Sequence, residues 1–454
     1  MARKRSNSVK EALRQLEPTS YSTERRNGPT GAQQPASAVA SPFIRWLVQP
    51  TESVKLIALI SGAWAAIEYT RPAKLINPLS PLLFISYPLV PALNENTPRF
   101  DKGPLDLAFV LFYIVVLSFM REATTRFIVR PIARRLGLSS EAKLQRFMEQ
   151  AYAIVYFSAS GSFGLWVMSH QKSWWYNTKH LWLEYPHWRM EGRLKSYYLL
   201  QLAYWCQQML VLILGLEKPR SDFKELVIHH VVTLWLVGWS CEPCLPAFRH
   251  TSNRLSVSRA SHADFLNLTM IGTAIFVSMD LPDICLALSK CLNYLNLQRT
   301  SECSFVLFLC VWNKHATQHL LTCLCSFFDI LISYMRHYLN IRILFSVWNE
   351  FDLIPHEYRS WTAAADHPSG WWLLYGRQTL VLPPWLKYQI FAPIMALQLV
   401  NTFWSFLIWR ILWRMIAGIP AVDTREDGEA SDDGRQLIDR SATAVPRKTI
   451  KKSQ

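Results

Sequence analysis

The sequence lacks the cysteine pattern of a disulfide-bonded or zinc-binding protein. Its cysteines number nine, an odd total, and most lie in apolar stretches, as do Cys206, Cys285, Cys291 and Cys310. A thiol in such surroundings is usually a small buried hydrophobe, so no disulfide framework is predicted. Cys241 and Cys244, with His250 and His262 beyond, begin a zinc-like spacing. No second cysteine pair follows and the histidine spacing is irregular, which argues against zinc.

Histidine boxes and alternating strand patterns are also missing. Membrane di-iron enzymes need several His-x-x-His-His or His-x-x-x-His boxes to fill two coordination spheres, and the sequence has one His-His pair. We therefore predict no metal and no bound cofactor. The apolar stretches lack the period-2 alternation of barrel strands, which excludes a transmembrane barrel. No internal pseudo-repeat typical of a proton-coupled transporter is found, so that class is the weakest alternative.

Long apolar runs dominate the middle of the chain. Half of the 454 residues are hydrophobic and 19 are tryptophan, although both ends are polar. Stretches near the roughly 17 to 25 residues needed to cross a bilayer recur along the chain. They lie at 54–70, 104–120, 150–169, 195–216, 224–240, 268–290 and 388–416. Because lipid offers no partner to backbone groups, we predict an all-α, polytopic transmembrane helical bundle of about seven to eight spans.

Positive charge is concentrated beside these runs. The net charge is +15, and lysine and arginine crowd the first 26 residues, the stretch 121–146 and the extreme C-terminus. Basic segments that flank spans mark the cytosolic side. Since they are not interleaved with a soluble aromatic platform, no nucleic-acid partner is predicted.

Four regions follow from this pattern. Residues 1–49 have no apolar run, which predicts a disordered basic cytosolic arm and excludes a cleavable signal peptide. Residues 50–138 carry the first spans and a basic cytosolic loop, and 139–417 form the main membrane domain. The tail 418–454 is acidic and then basic. It ends with Lys451-Lys452-Ser-Gln, the form of a retrieval signal read by the COPI coat, which predicts the endoplasmic reticulum membrane with both termini cytosolic.

Two adjacent histidines lie within an apolar helix. Neighbouring residues on a helix point about 100° apart, so His229 and His230 are expected to face different groups. Hydrogen-bonded core histidines are the structural alternative. Two ionisable residues at membrane depth favour chemistry, because polar groups there are costly.

Two aspartates lie in the apolar run 268–292. Asp280 and Asp283 are three residues apart, and Pro282 removes a backbone donor beside them. A carboxylate bonded to one imidazole nitrogen fixes the tautomer and leaves the other as base or nucleophile, so histidine is the expected partner. Carboxylates at a helix end facing water are the alternative.

A third polar group interrupts an apolar context near residue 336. Arg336 and Asn340 are four residues apart and share a helix face. They are suited to binding a carboxylate or phosphate, or to marking the membrane boundary.

These motifs, with others in the same order, resemble the TLC domain of ceramide synthases of the fungal branch. The matching runs are 195–205, 220–223, 229–233, 271–272, 279–283, 289–294 and 336–340. The resemblance implies N-acylation of a sphingoid base by acyl-CoA, with membrane lipids around the protein and a homo- or hetero-oligomer as its assembly. It implies catalytic roles for His229, His230, Asp280 and Asp283. The substrate-binding residues that it implies are Tyr204, Arg220, Asp222, Arg336, His337 and Asn340.

In the mechanism expected from this resemblance, His229 attacks the thioester and forms an acyl-imidazole. Asp283 orients that ring, and His230 helps to remove a proton from the incoming amine. Cytosolic arginines supply positive potential for the phosphates of coenzyme A, or act only as determinants of topology. They are Arg126, Arg130, Arg134, Arg135 and Arg146.

Two stretches depart from the family pattern, near 241–264 and 313–332, where polar or poorly patterned sequence interrupts the match. They indicate a gene-model error or a decayed copy. The alternative function is therefore a catalytically silent TLC-domain protein that binds or senses lipid. A paralogue protecting its producer from a sphinganine-analogue toxin is a further possibility.

Overall fold

Helices of membrane length dominate the computed structural model of the chain. It describes residues 45–72, 75–89, 97–183, 185, 190–216, 223–240, 268–295, 330–355 and 386–416. These residues all belong to one structural unit, 42–454.

The helices follow the apolar runs closely. Before the first basic loop they are α1 (Arg45–Val48), α2 (Pro50–Thr70), α3 (Ser80–Leu83) and α4 (Asp106–Ala123). The central helices are α5 (Arg130–Arg135), α6 (Glu141–Ser169), α7 (Gly192–Ile213) and α8 (Phe223–Ser240). The last are α9 (Thr269–Tyr294), α10 (Leu339–Asn349) and α11 (Leu386–Ile416). Each of the seven predicted apolar stretches coincides with a helix, so the all-α bundle is confirmed.

Four helical stretches among the described residues are long and apolar enough to cross a membrane. They are Asp106–Arg135, Lys143–Ser169, Thr269–Leu292 and Lys387–Arg410. The chain is therefore a multi-pass membrane protein. The total of seven or eight crossings stays a prediction.

Two short π-helical segments interrupt the helical geometry. Thr124–Val129 continues α4 into α5, and Tyr334–Tyr338 leads into α10. A π segment inserts an extra residue into the turn and redirects the side chains around it. Tyr334–Tyr338 carries Arg336 and His337, two of the predicted substrate-binding residues.

A small antiparallel sheet is the feature that the sequence did not predict. Strands β1 (Pro88–Leu89), β2 (Arg99–Phe100) and β3 (Met190–Glu191) pair in the order β1-β2-β3. Two residues are too few for a period-2 pattern, so no sequence signal precedes them. Beside the sheet, the ammonium of Lys195 lies 2.8 Å from the Asp106 carboxylate and donates to the carbonyls of Ser86 and Asp101. This buried group ties the start of α7 to the start of α4.

Helices α6 and α9 pack closely because glycine replaces a side chain at their contact. A Cβ added at Gly164 would lie 2.5 Å from Oη of Tyr197 and 2.8 Å from Cγ2 of Val277. Gly272 on α9 has the same role towards α7, since a Cβ there would lie 2.5 Å from Oη of Tyr198. Small residues at such crossings allow close approach of helices within membranes.

The structure places little of the two departing stretches. Residues 241–264 and 313–329 lie outside the described residues, as do residues 1–44 of the predicted arm and the predicted tail 418–454. The last residues of the arm, 45–49, include α1 and the buried Leu47, and 330–332 at the end of the second stretch are helical. The region boundaries and the nature of the insertions stay predictions.

Candidate active site

A cavity of ≈ 290 Å³ opens between the central helices of the bundle. Its walls come from α6, α7, α8, α9, α11 and the π segment before α10. Among the predicted site residues, the cavity is lined by Tyr204, His229, His230, Asp283 and Arg336. Residues spread over more than 130 positions of sequence thus meet at one place, as expected for a functional cavity between helices.

The two histidines lie side by side on α8, with ring centroids 5.7 Å apart and planes 86° apart. Nδ1 of His230 lies 2.8 Å from the Leu226 carbonyl. Because a carbonyl only accepts, Nδ1 of the neutral ring carries the proton and Nε2 is the basic nitrogen. Nδ1 of His229 is shielded from solvent and has no hydrogen-bond partner among the described residues. The two rings share Trp205 as a neighbour, with centroids 5.5 Å away, and differ in the hydrogen bond that only His230 makes to the Leu226 carbonyl.

Asp283 contacts Arg336 and not a histidine. The carboxylate of Asp283 accepts a short hydrogen bond from the Arg336 guanidinium, and both residues line the cavity. The expected bond from Asp283 to the His229 ring is therefore not formed in this structure. The physical reason is the π segment, since it carries the buried Arg336 side chain to α9, where a guanidinium is the stronger partner for a carboxylate.

Asp280 lies behind the cavity wall. It is fully buried, and its Oδ2 accepts hydrogen bonds of 2.7 Å from Ser160 on α6 and from Gln201 on α7. It is not among the residues that line the cavity. Along an α-helix, three residues correspond to a rotation of about 300°, which is about 60° short of a full turn. The side chains of Asp280 and Asp283 therefore point in directions about 60° apart. Asp280 is therefore separated from the cavity in this structure, and its role in catalysis stays a prediction.

The other predicted substrate-binding residues lie at the cavity wall, away from it, or outside the described residues. Tyr204 lines the cavity and stacks on Tyr156 with ring centroids 3.5 Å apart. His337 instead bonds to Ser405 and Gln398 of α11, each at 2.7 Å, outside the cavity lining.

Asn340 donates to the Arg336 carbonyl at 2.9 Å, so it supports the segment that carries the guanidinium. Arg220 and Asp222 lie outside the described residues.

Sequence reasoning assigned no role to several lining residues. Trp205 and Trp404 flank His229 with ring centroids 5.5 and 5.1 Å away, and Lys290 and Asn401 also line the cavity. Trp205 closes a run that carries the family resemblance. The chain has 19 tryptophans, and Trp404 lies in an apolar helix where no spacing distinguishes it from the others.

Most of the arginines proposed to attract coenzyme A have acidic neighbours. Arg126 pairs with Glu122 at 3.0 Å, and Arg130 pairs with Glu141 at 2.8 Å. Arg146 lies 3.5 Å from Glu149. The positive potential of this loop is therefore lower than its arginine content indicates.

A histidine pair, a carboxylate–guanidinium pair and a largely apolar wall thus meet at one cavity between the membrane helices. The histidines and the ion pair also fall within the part of the chain that matches a known protein family. Residues 146–248 and 255–410 match the TLC domain model of the TRAM, LAG1 and CLN8 proteins. Sphingosine N-acyltransferase lac1 of Schizosaccharomyces pombe is 38% identical over 77% of this chain and 76% of its own.

Two further relatives extend the match. Ceramide synthase LAG1 of Saccharomyces cerevisiae is 36% identical over 78% of this chain and 71% of its own. Sphingosine N-acyltransferase-like protein FUM17 of Gibberella moniliformis is 32% identical over 74% and 71%. The chain belongs to the TLC-domain proteins and, within them, to the sphingosine N-acyltransferase family, whose members are acyltransferases. The resemblance seen in the sequence is confirmed.

Proposed function

We propose that the chain is a ceramide synthase, which transfers a fatty acyl group from acyl-CoA to the amine of a sphingoid base. The observation that carries this proposal is the position of His229 and His230 at the wall of one cavity, facing Asp283 and Arg336. Lipid-binding without catalysis would not require two ionisable rings beside a partly buried ion pair, since each is costly at membrane depth. The silent-protein alternative is therefore disfavoured.

In the proposed first step, a nitrogen of His229 attacks the thioester carbonyl, and the acyl–imidazole bond replaces the acyl–sulfur bond as the coenzyme A thiolate leaves. In the second step, the neutral amine attacks the acyl carbon, the bond from that carbon to the His229 nitrogen breaks so that the imidazole leaves, and the basic Nε2 of His230 takes the amine proton. The hydrogen bond from His230 to Leu226 supports this role because it fixes the tautomer. An apolar, water-poor cavity disfavours both the ammonium form and hydrolysis.

Asp283 and Arg336 take a different role from the one expected from the sequence alone. The guanidinium neutralises the carboxylate and holds it at the cavity wall. We propose that the pair fixes α9 against the π segment and sets the local field around the acyl group, while His229 acts without a carboxylate on its ring. Asp280 then positions α9 through Ser160 and Gln201.

The direct test is ceramide formation from labelled sphinganine and acyl-CoA by the purified chain in detergent or liposomes. We expect His229→Ala to lower the rate by at least about 10²-fold, the usual range for a lost proton-transfer or nucleophilic group. His170→Ala is the matched control, because His170 is exposed at the end of α6 and does not line the cavity. Equal rates for both variants would contradict the proposal.

The covalent step has its own measurement. Wild-type protein incubated with acyl-CoA and no sphingoid base should gain the mass of one acyl group on the α8 peptide, and His229→Ala should not. Addition of sphinganine should remove this mass and release ceramide. An active enzyme without acylated peptide would favour direct attack of the amine on the thioester.

Location, assembly and biological role remain predictions. The predictions of an endoplasmic reticulum location, cytosolic termini and COPI binding depend on Lys451 and Lys452, and both lysines lie outside the described residues. Oligomerisation and contacts with membrane lipids are proposed from the resemblance alone. A self-protection role predicts that expression of the chain restores growth of cells treated with a sphinganine-analogue toxin.

A further inference from the structure

Two indole N–H groups without acceptors lie beside the same histidine. Trp205 on α7 and Trp404 on α11 both line the cavity, and both rings meet the His229 ring edge-on, with centroids 5.5 and 5.1 Å away. Trp205 also lies 5.5 Å from His230. The Nε1 atoms of both tryptophans are shielded from solvent and have no hydrogen-bond partner among the described residues.

Such groups need an explanation. A buried indole N–H usually has an acceptor, because leaving a donor unpaired costs about 1–3 kcal/mol. Trp182 shows the ordinary arrangement in this chain, since its Nε1 donates to Ser346 at 2.7 Å. Trp205 is only 8% exposed, so water does not replace the missing acceptor easily. Two unpaired donors at one cavity indicate that the acceptor belongs to a bound molecule.

We propose that Trp205 and Trp404 donate hydrogen bonds to the acyl carbonyl oxygen and form the oxyanion hole of the reaction. The acceptor is thus the carbonyl of a fatty acyl thioester. This inference rests on the proposed acyl transfer at His229. The position of the two unpaired indole N–H groups on rings that both meet the His229 ring at this cavity is the juxtaposition that supports it.

The step balances without any further reactant. When the nucleophilic nitrogen forms a bond to the acyl carbon, the electron pair of the C=O double bond moves to oxygen, and the two N–H groups stabilise that negative charge. The pair then re-forms the double bond and the carbon–sulfur bond breaks, so that sulfur leaves as thiolate. The same oxygen is charged again when the amine attacks the acyl-imidazole, and the same donors serve both steps.

The test uses phenylalanine, which keeps an aromatic ring beside the histidines and removes the donor. We expect Trp205→Phe and Trp404→Phe each to lower kcat by about 10²–10³-fold with little change in KM, the loss typical of one oxyanion donor. Trp235→Phe is the control, because Trp235 lies on α8, is 54% exposed and does not line the cavity. Thermal unfolding in detergent checks that each variant is folded.

An acyl dithioester of coenzyme A gives a second measurement, because its sulfur is a poor hydrogen-bond acceptor. The ratio of thioester to dithioester rates should be large for wild type and should fall at least tenfold in Trp205→Phe. If that variant is unstable, benzothienylalanine at position 205 keeps the shape of indole without its N–H and should give the same fall. Active wild type with unchanged ratios and rates in both Phe variants would overturn only the oxyanion hole. Inactive wild type would overturn the proposed function and, with it, this inference.

Discussion

Asp280 and Asp283 lie within one turn of α9 and meet different neighbours. Asp283 pairs with Arg336 at the cavity, whereas Asp280 accepts from Ser160 and Gln201 behind the wall. A charged residue in lipid is stable only with such partners. The two carboxylates therefore contribute differently, one to the field of the site and one to the joint between α6, α7 and α9.

A double-mutant cycle separates these contributions. We expect Asp280→Ala and Gln201→Ala to show a coupling of about 0.5–3 kcal/mol in the free energy of unfolding. The reason is that Asp280→Ala removes the carboxylate that accepts the hydrogen bond from Gln201. Asp283→Ala paired with Gln201→Ala is the matched control and should be nearly additive. Both cycles are measured by chemical unfolding in detergent. Similar coupling in both would show that Gln201 does not distinguish the two carboxylates.

At the scale of elements, the tight crossing of α6 and α9 sets the back of the cavity. Gly164 lies against Tyr197 and Val277, which leave no room for a Cβ. At Gly62 on α2, an added Cβ would have no atom within 4 Å. The two glycines look alike in the sequence, since each lies in an apolar helix. Only the packing of a distant helix distinguishes them.

The two glycines give a matched pair of substitutions. Gly164→Ala should lower the unfolding temperature in detergent, with an overpacking cost of about 1–3 kcal/mol. Gly62→Ala should leave it unchanged or raise it, because alanine is favoured over glycine in a helix by about 0.5–1 kcal/mol. A Gly164→Ala protein as stable as wild type would mean that α6 and α9 are farther apart than described.

The elements also show what sequence can predict. The length of the apolar runs was enough to find the seven longest described helices, because lipid leaves the backbone no other arrangement. Motif order brought His229, His230, Asp283 and Arg336 to one site. The pairing of Asp283 with Arg336 was not predictable, since it depends on a π segment that has no sequence signature, and the same holds for Trp404.

At the scale of the whole molecule, described residues that line the cavity lie on both sides of each departing stretch. Val237 near the end of α8 and Leu268 just before α9 line the same cavity, although 241–264 lies between them in sequence. Asp283 precedes the stretch 313–332 and Arg336 follows it, and both line the cavity. The structure thus places functional residues on both sides of each stretch.

Removal of these stretches tests whether they matter to the enzyme. Without 241–264, four residues connect α8 to α9, which is within the 2–8 residues common between neighbouring helices. Shortening a loop changes its closure entropy by only about 0.6 kcal/mol for each twofold change in length. We expect the chain lacking 241–264 and 313–329 to form ceramide at least as fast as the full chain, measured at equal amounts of folded protein. Residues 330–332 are kept because they are helical and Ile332 is buried in the core. Activity confined to the trimmed chain would mean that the stretches block catalysis, and activity confined to the full chain would mean that they belong to the working fold. In either case His229→Ala must abolish the remaining activity, because both proteins keep the described cavity residues that the proposed reaction uses.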